Sequence, residues 1–162
     1  LWPDENIRQQ CEKIRNEVLT EQAQPVRAYN FHVTLLFLGN IDSDKEEGLK
    51  QEFAALQVPN MTLRFDRISF WSKPGIICLT ATFPNPEIES FVETLSKLAR
   101  ELGIPTDDRP FKPHVTLVKN VKTQTRLEFD PIIWHSSSFC LVESSRLPNG
   151  INYRIVEEWE AH

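Results

Sequence analysis

The tetrapeptide His-Val-Thr-Leu occurs twice, at 32–35 and at 114–117, half a chain apart. The chain has only four histidines, and two of them head these identical segments. In extended chain, alternate side chains share a face, so His32 and Thr34 point one way while Val33 and Leu35 point the other. His114 and Thr116 stand in the same relation to Val115 and Leu117. Each copy is therefore predicted to be a strand with an apolar side for a core and an imidazole-plus-hydroxyl side. Two such strands, one from each half of the fold, would face each other across a cleft.

The surrounding chain reads as α+β. Asp4 suits a helix N-cap, and Ile7, Cys11, Ile14 and Val18 recur at helical spacing to about Thr20. Residues 22–30, interrupted by Pro25, read as a loop into a motif strand over Phe31–Gly39. Ser43, with Glu46 three residues on, forms a capping box for a second helix that turns Leu49, Phe53 and Leu56 inward. Met61, Leu63 and Phe65 alternate with polar residues, as do Ile68 and Phe70, which is strand periodicity. Lys73-Pro74-Gly75 is a turn, and Ile76–Phe83 is a β-prone run broken by Pro84-Asn85-Pro86. A third helix follows over about 86–102, carrying Ile88, Phe91, Leu95, Leu98 and Leu102 and stopped by Gly103. Residues 106–113 form a loop into the second motif strand. Phe139–Val142 and Tyr153–Trp159 are closing strands joined through Pro148-Asn149-Gly150. One helix precedes each motif strand, which suggests a pseudo-repeat within one domain spanning 1–162.

Composition narrows the partners. A formal net charge of −5 argues against a broad grip on duplex nucleic acid, which needs many phosphate-facing cations. No apolar run approaches a membrane span, and no signal-peptide pattern opens the chain, so a cytoplasmic monomer without membrane attachment is expected. The chain opens at Leu1 without a methionine, so residues ahead of it are expected. The three cysteines lack CxxC spacing and are expected to be free thiols in a reducing compartment.

Two imidazoles that titrate near neutrality can divide proton acceptance and donation between them. In-line displacement at phosphorus requires both acts, on opposite sides of the phosphate. Each threonine follows its histidine on the same strand face, where its hydroxyl can donate to a non-bridging phosphate oxygen. Arg109, Lys112, Lys119, Lys122 and Arg126 form a run without acidic residues, which a solvated surface explains as well as a phosphate pocket does. Arg109 precedes the second motif from a loop. Lys119 lies five residues after His114, an odd spacing that puts it on the opposite face unless a bulge or the strand end re-aims it. A metal site is the competing use of two histidines, but threonines are poor zinc ligands. His135 reads as structural and His162 as a disordered terminus. Trp2, Trp71, Trp134 and Trp159 include candidates for base stacking, although core packing is the default for each.

FHVTLLFLG and RPFKPHVTLVK together resemble the paired motifs of the 2H phosphoesterases, and among them the bacterial RNA 2′,3′-cyclic phosphodiesterases, also called 2′–5′ RNA ligases or LigT-like proteins. The likeness runs from Leu1-Trp2-Pro3-Asp4 nearly to the C-terminus. It implies a bilobal α+β fold whose antiparallel sheets line a central cleft with helices outside, and a first strand of which this chain holds only the end. It implies hydrolysis, with no metal or other cofactor, of RNA termini or nucleotides ending in a 2′,3′-cyclic phosphate, giving a 2′-phosphate. His32 and His114 are then the catalytic pair, and Thr34 and Thr116 hold the phosphate; Lys119 and Arg109, from the basic run, are the further phosphate-binding candidates. The resemblance has His114 activate water and His32 protonate the departing oxygen; the residues alone leave that division open. Relatives often carry arginine where this chain has Lys119, which keeps the charge and loses the bidentate fork. A 2′–5′ RNA ligase or phosphodiesterase acting on the same site, and a non-catalytic RNA-end binding module, are the alternatives.

Overall fold

A computed structural model describes residues 1–83, 85–148 and 150–161. Expectations resting on Pro84, Asn149 and His162 (the strand break, the centre of the last turn and the terminal histidine) lie outside the described residues. The chain is α+β, with helices α1 (Glu5–Val18), α2 (Ser43–Ala54) and α3 (Pro86–Glu101). The strands are β1 (Gln24–Pro25), β2 (Met61–Phe65), β3 (Arg67–Trp71), β4 (Ile76–Thr80), β5 (His114–Lys119), β6 (Ile132–Ser136), β7 (Ser138–Leu147) and β8 (Gly150–Glu160). They form a four-stranded sheet in the order β1-β5-β4-β3, antiparallel throughout, and the pairs β2-β6 and β7-β8. Among the described residues no helix is long and apolar enough to cross a membrane.

Two compact units result, each assembled from three stretches of sequence. The first comprises Leu1–Val33, Thr62–Pro84 and Lys112–His135, and so holds both motif histidines. In it, Asp4 caps α1 by accepting from Ile7 N at 2.8 Å, and the inward stripe is Ile7, Cys11, Ile14 and Val18, as the spacing predicts. The sheet that holds β5 buries Ile77, Leu79, Val115, Leu117 and Val118 on one face. Its other face carries half-buried Ser69, Trp71, Thr80, His114, Thr116 and Lys119 around buried Cys78. β2 and β6 bring Phe65 and the almost fully buried Trp134 together at 6.3 Å.

The second unit comprises Thr34–Met61, Asn85–Phe111 and Ser136–His162. Its core is an aromatic cluster in which Phe139 meets Phe53, Phe91 and Trp159 at 5.6, 5.3 and 4.9 Å. The predicted Ser43 cap is displaced by one residue. Asp42 accepts from Lys45 N at 2.9 Å and Ser43 opens the helix, because a carboxylate at the helix start also meets the positive end of the helix dipole. α3 ends before Gly103, whose φ of +71° a β-carbon would oppose.

Other expectations change for local reasons. Pro25, expected in a loop, sits in the two-residue edge strand β1 opposite Val118, where the lack of an N–H is tolerated. β4 stops at Thr80 rather than Phe83. There Asp66 Oδ1 accepts from Thr82 N at 2.8 Å and from Thr82 Oγ1 at 2.9 Å, drawing the chain off the ladder and leaving Phe83 exposed. The segment Phe31–Gly39 forms no assigned strand. Within it, Val33 is buried and Phe37 is three-quarters exposed. β6 was not foreseen.

Candidate active site

Val33 exchanges both backbone bonds with Leu1: Leu1 N donates to Val33 O at 2.7 Å, and Val33 N donates to Leu1 O at 3.0 Å. That antiparallel register sets Trp2 directly opposite His32 in a non-hydrogen-bonded pair, where cross-strand side chains are closest. The indole accordingly stacks on the imidazole, with centroids 5.4 Å apart and planes 9° from parallel. The chain entering His32 is pinned from two sides. Val26 N donates to Leu117 O at 2.9 Å, and Arg15 donates to Val26 O at 2.8 Å while its guanidinium lies over the buried Phe31 ring.

His32 Nδ1 lies 2.7 Å from Asn30 O, and His114 Nδ1 lies 2.8 Å from Lys112 O. Each motif histidine thus bonds the carbonyl two residues before it. A carbonyl can only accept, so Nδ1 carries the proton in each neutral ring and Nε2 carries the basic lone pair. The same local contact, to the carbonyl two residues ahead of each tetrapeptide, therefore fixes the same tautomer in both histidines. His32 is held below the ordinary histidine range chiefly by burial, with the positive charges of His114 and Lys119 acting in the same sense and the Asn30 carbonyl opposing them.

That electrostatic influence puts Lys119 within reach of His32, although strand alternation would turn it away. The ladder supplies the reason. Cys78 pairs with Thr116 and Ile77 with Val118, so Leu117 is an extra residue on β5 and the register shifts there. Side-chain burial along β5 follows the bulge: Val115, Leu117 and Val118 are buried, while His114, Thr116 and Lys119 are all half-buried. Lys119 is thereby re-aimed onto the face of His114 and Thr116. Its end of the strand is fixed by Val121 N donating to Gly75 O at 3.0 Å. The turn containing Gly75 lies so close that a β-carbon there would meet Val121 O at 3.0 Å.

The rest of this face supports the motif. Trp71 leans onto His114 with ring centroids 4.6 Å apart and planes at 60°. Cys78 Sγ donates to Thr116 Oγ1 at 3.8 Å, and burial pushes its thiol up to about 12, so it stays protonated and a donor. The core-packing default thus holds for Trp134 and for Trp159, which joins the aromatic cluster, but fails for Trp2 and Trp71, each set against a motif histidine. Pairing Leu1 with Val33 from the two apolar residues would have pointed to Trp2; Trp71 left no such signal.

Thr34 is exposed and is the first residue of the second unit. Arg109 is also in that unit, exposed and clamped on Asp107, whose carboxyl the guanidinium and Arg109 N hold down at about 2. Lys112, Lys122 and Arg126 are exposed, as a solvated basic surface would be. His135 sits on β6 with Nδ1 3.0 Å from Thr62 Oγ1, consistent with the structural part expected of it. Among the described residues no three His, Cys, Asp or Glu side chains converge as a metal would require.

Comparisons with known proteins bear on the family and the fold. A family model described as LigT like Phosphoesterase matches residues 1–78. The RNA 2′,3′-cyclic phosphodiesterase of Thermus thermophilus is 30% identical over 154 residues, spanning 84% of this chain and 74% of that protein. The RNA 2′,3′-cyclic phosphodiesterase of Escherichia coli is 27% identical over 141 residues, spanning 86% of this chain and 80% of that protein. A crystal structure of Escherichia coli LigT complexed with 3′-AMP superposes with a TM-score of 0.86 at 26% identity, covering 96% of this chain and 91% of that one.

Proposed function

Because this chain belongs to the LigT-like phosphoesterase family, we propose that it hydrolyses RNA or nucleoside 2′,3′-cyclic phosphates to 2′-phosphates, using His32 and His114 as a proton-transfer pair. Water attacks phosphorus as one Nε2 takes its proton; the P–O3′ bond breaks as the other Nε2 delivers a proton to the departing oxygen. The hydroxyls of Thr116 and Thr34 and the ammonium of Lys119 hold the non-bridging oxygens, where charge is greatest in the transition state. Arg109 stays a candidate phosphate contact, its guanidinium resting on the exposed Asp107 carboxylate in this structure. The single domain works as a monomer in the cytoplasm on an RNA end, in a reaction that calls on no metal; the buried free thiols Cys11 and Cys78 suit a reducing compartment.

The observation that carries the reading is the matched pair of Nδ1–carbonyl bonds. Both leave Nε2 as the working nitrogen on rings close enough to feel each other's charge. Burial of His32 favours its neutral form, the state a base needs, whereas the family analogy makes His32 the acid. The test is incubation of a nucleoside 2′,3′-cyclic phosphate in excess chelator, followed by phosphorus NMR. Accumulation of the 2′-phosphate supports the reading. Turnover only after a divalent ion is restored, or tight binding of the cyclic phosphate without turnover, refutes it.

A further inference from the structure

We propose that Trp2 and Trp71 are positioning residues for the reaction, fixing the ring planes of His32 and His114 respectively; the proposal rests on the function given above. An imidazole held only through Nδ1 can still pivot about that hydrogen bond, swinging Nε2 through an arc. A second contact removes the pivot. His32 receives it as a near-parallel stack at 5.4 Å and His114 as a steep ring contact at 4.6 Å. Each indole comes from a different place in the fold. Trp2 is delivered by the Leu1–Val33 register. Trp71 closes β3 at the point where Gly75 N donates back to Trp71 O at 2.8 Å.

Neither indole is used as core filling. Trp134 is 1% exposed, whereas Trp2 and Trp71 are half-buried, each with a ring contact to a motif imidazole. In-line transfer at phosphorus needs both Nε2 atoms within roughly 10–20° of their working directions, a demand that one flexible hydrogen bond per ring does not meet. Each histidine therefore has at least these two anchors among the described residues. The repeated motif supplies one, the carbonyl two residues back, and the rest of the chain supplies the other.

The experiment uses Trp2→Leu, Trp2→Phe, Trp71→Leu and Trp71→Phe in the full chain, read in two ways. Nitrogen-15 spectra of the imidazoles report the tautomer and the mobility of each ring, and steady-state kinetics on a nucleoside 2′,3′-cyclic phosphate separate kcat from KM. Trp2→Leu should leave His32 in its Nδ1–H tautomer, which Asn30 O still holds, but shift and broaden its ring resonances as the ring pivots about that bond, and leave His114 unchanged. Trp71→Leu should do the reverse. Each should lower kcat by about 10–100-fold with KM little changed, and the phenylalanine variants should recover most of the loss by restoring an aromatic contact. Unchanged spectra in both leucine variants would overturn the proposal, as would a raised KM with kcat retained, which would make the indoles a stacking surface for the nucleobase. Wild-type protein that turned over no cyclic phosphate would defeat the proposed function, yet the spectra would still decide what the tryptophans do.

Discussion

Lys119→Met is the perturbation that bears on most of the site at once. It removes a charge that only the β5 bulge brings to the catalytic face and keeps a side chain of similar length. A charge-assisted hydrogen bond is worth about 1.5–3 kcal/mol. Lys119 is half-buried, so solvent screening puts it near the lower end, about 1.5–2 kcal/mol. That corresponds to a roughly 10–30-fold loss in kcat/KM. Lys119→Arg should match or exceed the wild type, because it keeps the charge and adds the fork. A second effect follows from His32. Burial first, then the positive charges of the Leu1 ammonium, His114 and Lys119 in that order, hold it below the ordinary 6.5; deleting the Lys119 cation raises it. The limb of the kcat/KM–pH profile that His32 governs must therefore move to higher pH. Movement of the acid limb identifies His32 as the base, and movement of the alkaline limb identifies it as the acid. The assay is kcat/KM on a nucleoside 2′,3′-cyclic phosphate between pH 4 and 9 for the three proteins. An unchanged rate with both limbs fixed would mean that Lys119 faces away and that the bulge has no functional consequence.

His32→Ala and His114→Ala should each lower kcat by about 10²–10⁴, the share of one general acid or base, and single-turnover kinetics would measure this directly. Full activity in either variant would end the paired-histidine mechanism. Thr116→Val should cost about 10–10³ in kcat, since it removes one donor to the phosphate and leaves the Cys78 thiol without its acceptor. On stability, Asp42→Ala should destabilise by about 1 kcal/mol in urea unfolding and Ser43→Ala by much less, because the cap is at 42. Equal losses would contradict the assigned helix start.

What the amino-acid pattern made legible was decided by local forces. The α1 stripe Ile7, Cys11, Ile14, Val18 is buried as its spacing requires, and Met61, Leu63 and Phe65 alternate as a half-buried strand does. Where two local options were nearly equal, the pattern misled. Asp42 and Ser43 are both good caps, and only the carboxylate's added interaction with the helix dipole separates them. Asp66 took Thr82 by a side-chain bond between residues 16 apart, a contact that no window of apolar residues contains. The units show the same limit, since each is assembled from three distant stretches and His32 and His114 share one of them.

The site divides along the same line. The histidines, with their hydroxyl partners, were legible because the tetrapeptide repeats, and the carbonyl two residues back belongs to the same short segment, so each tautomer is encoded within three residues. Lys119 is the boundary case. Odd spacing turns it away in a regular strand, and whether the strand is regular depends on β4, where Ile77 and Cys78 set a register that leaves Leu117 over. A lysine's face is thus chosen by its neighbour strand's register rather than by its own sequence. The same is true of Trp2, which depends on a backbone pair between residues 1 and 33, and of Trp71, which reaches His114 from another strand. The histidines proposed for proton transfer were local enough to read, whereas the tryptophans and the lysine set against them depend on the tertiary structure. This division also predicts where function is most easily lost without any change in the motif: in register, at the bulge and at the Leu1–Val33 pair, both of which can shift while every motif residue stays in place.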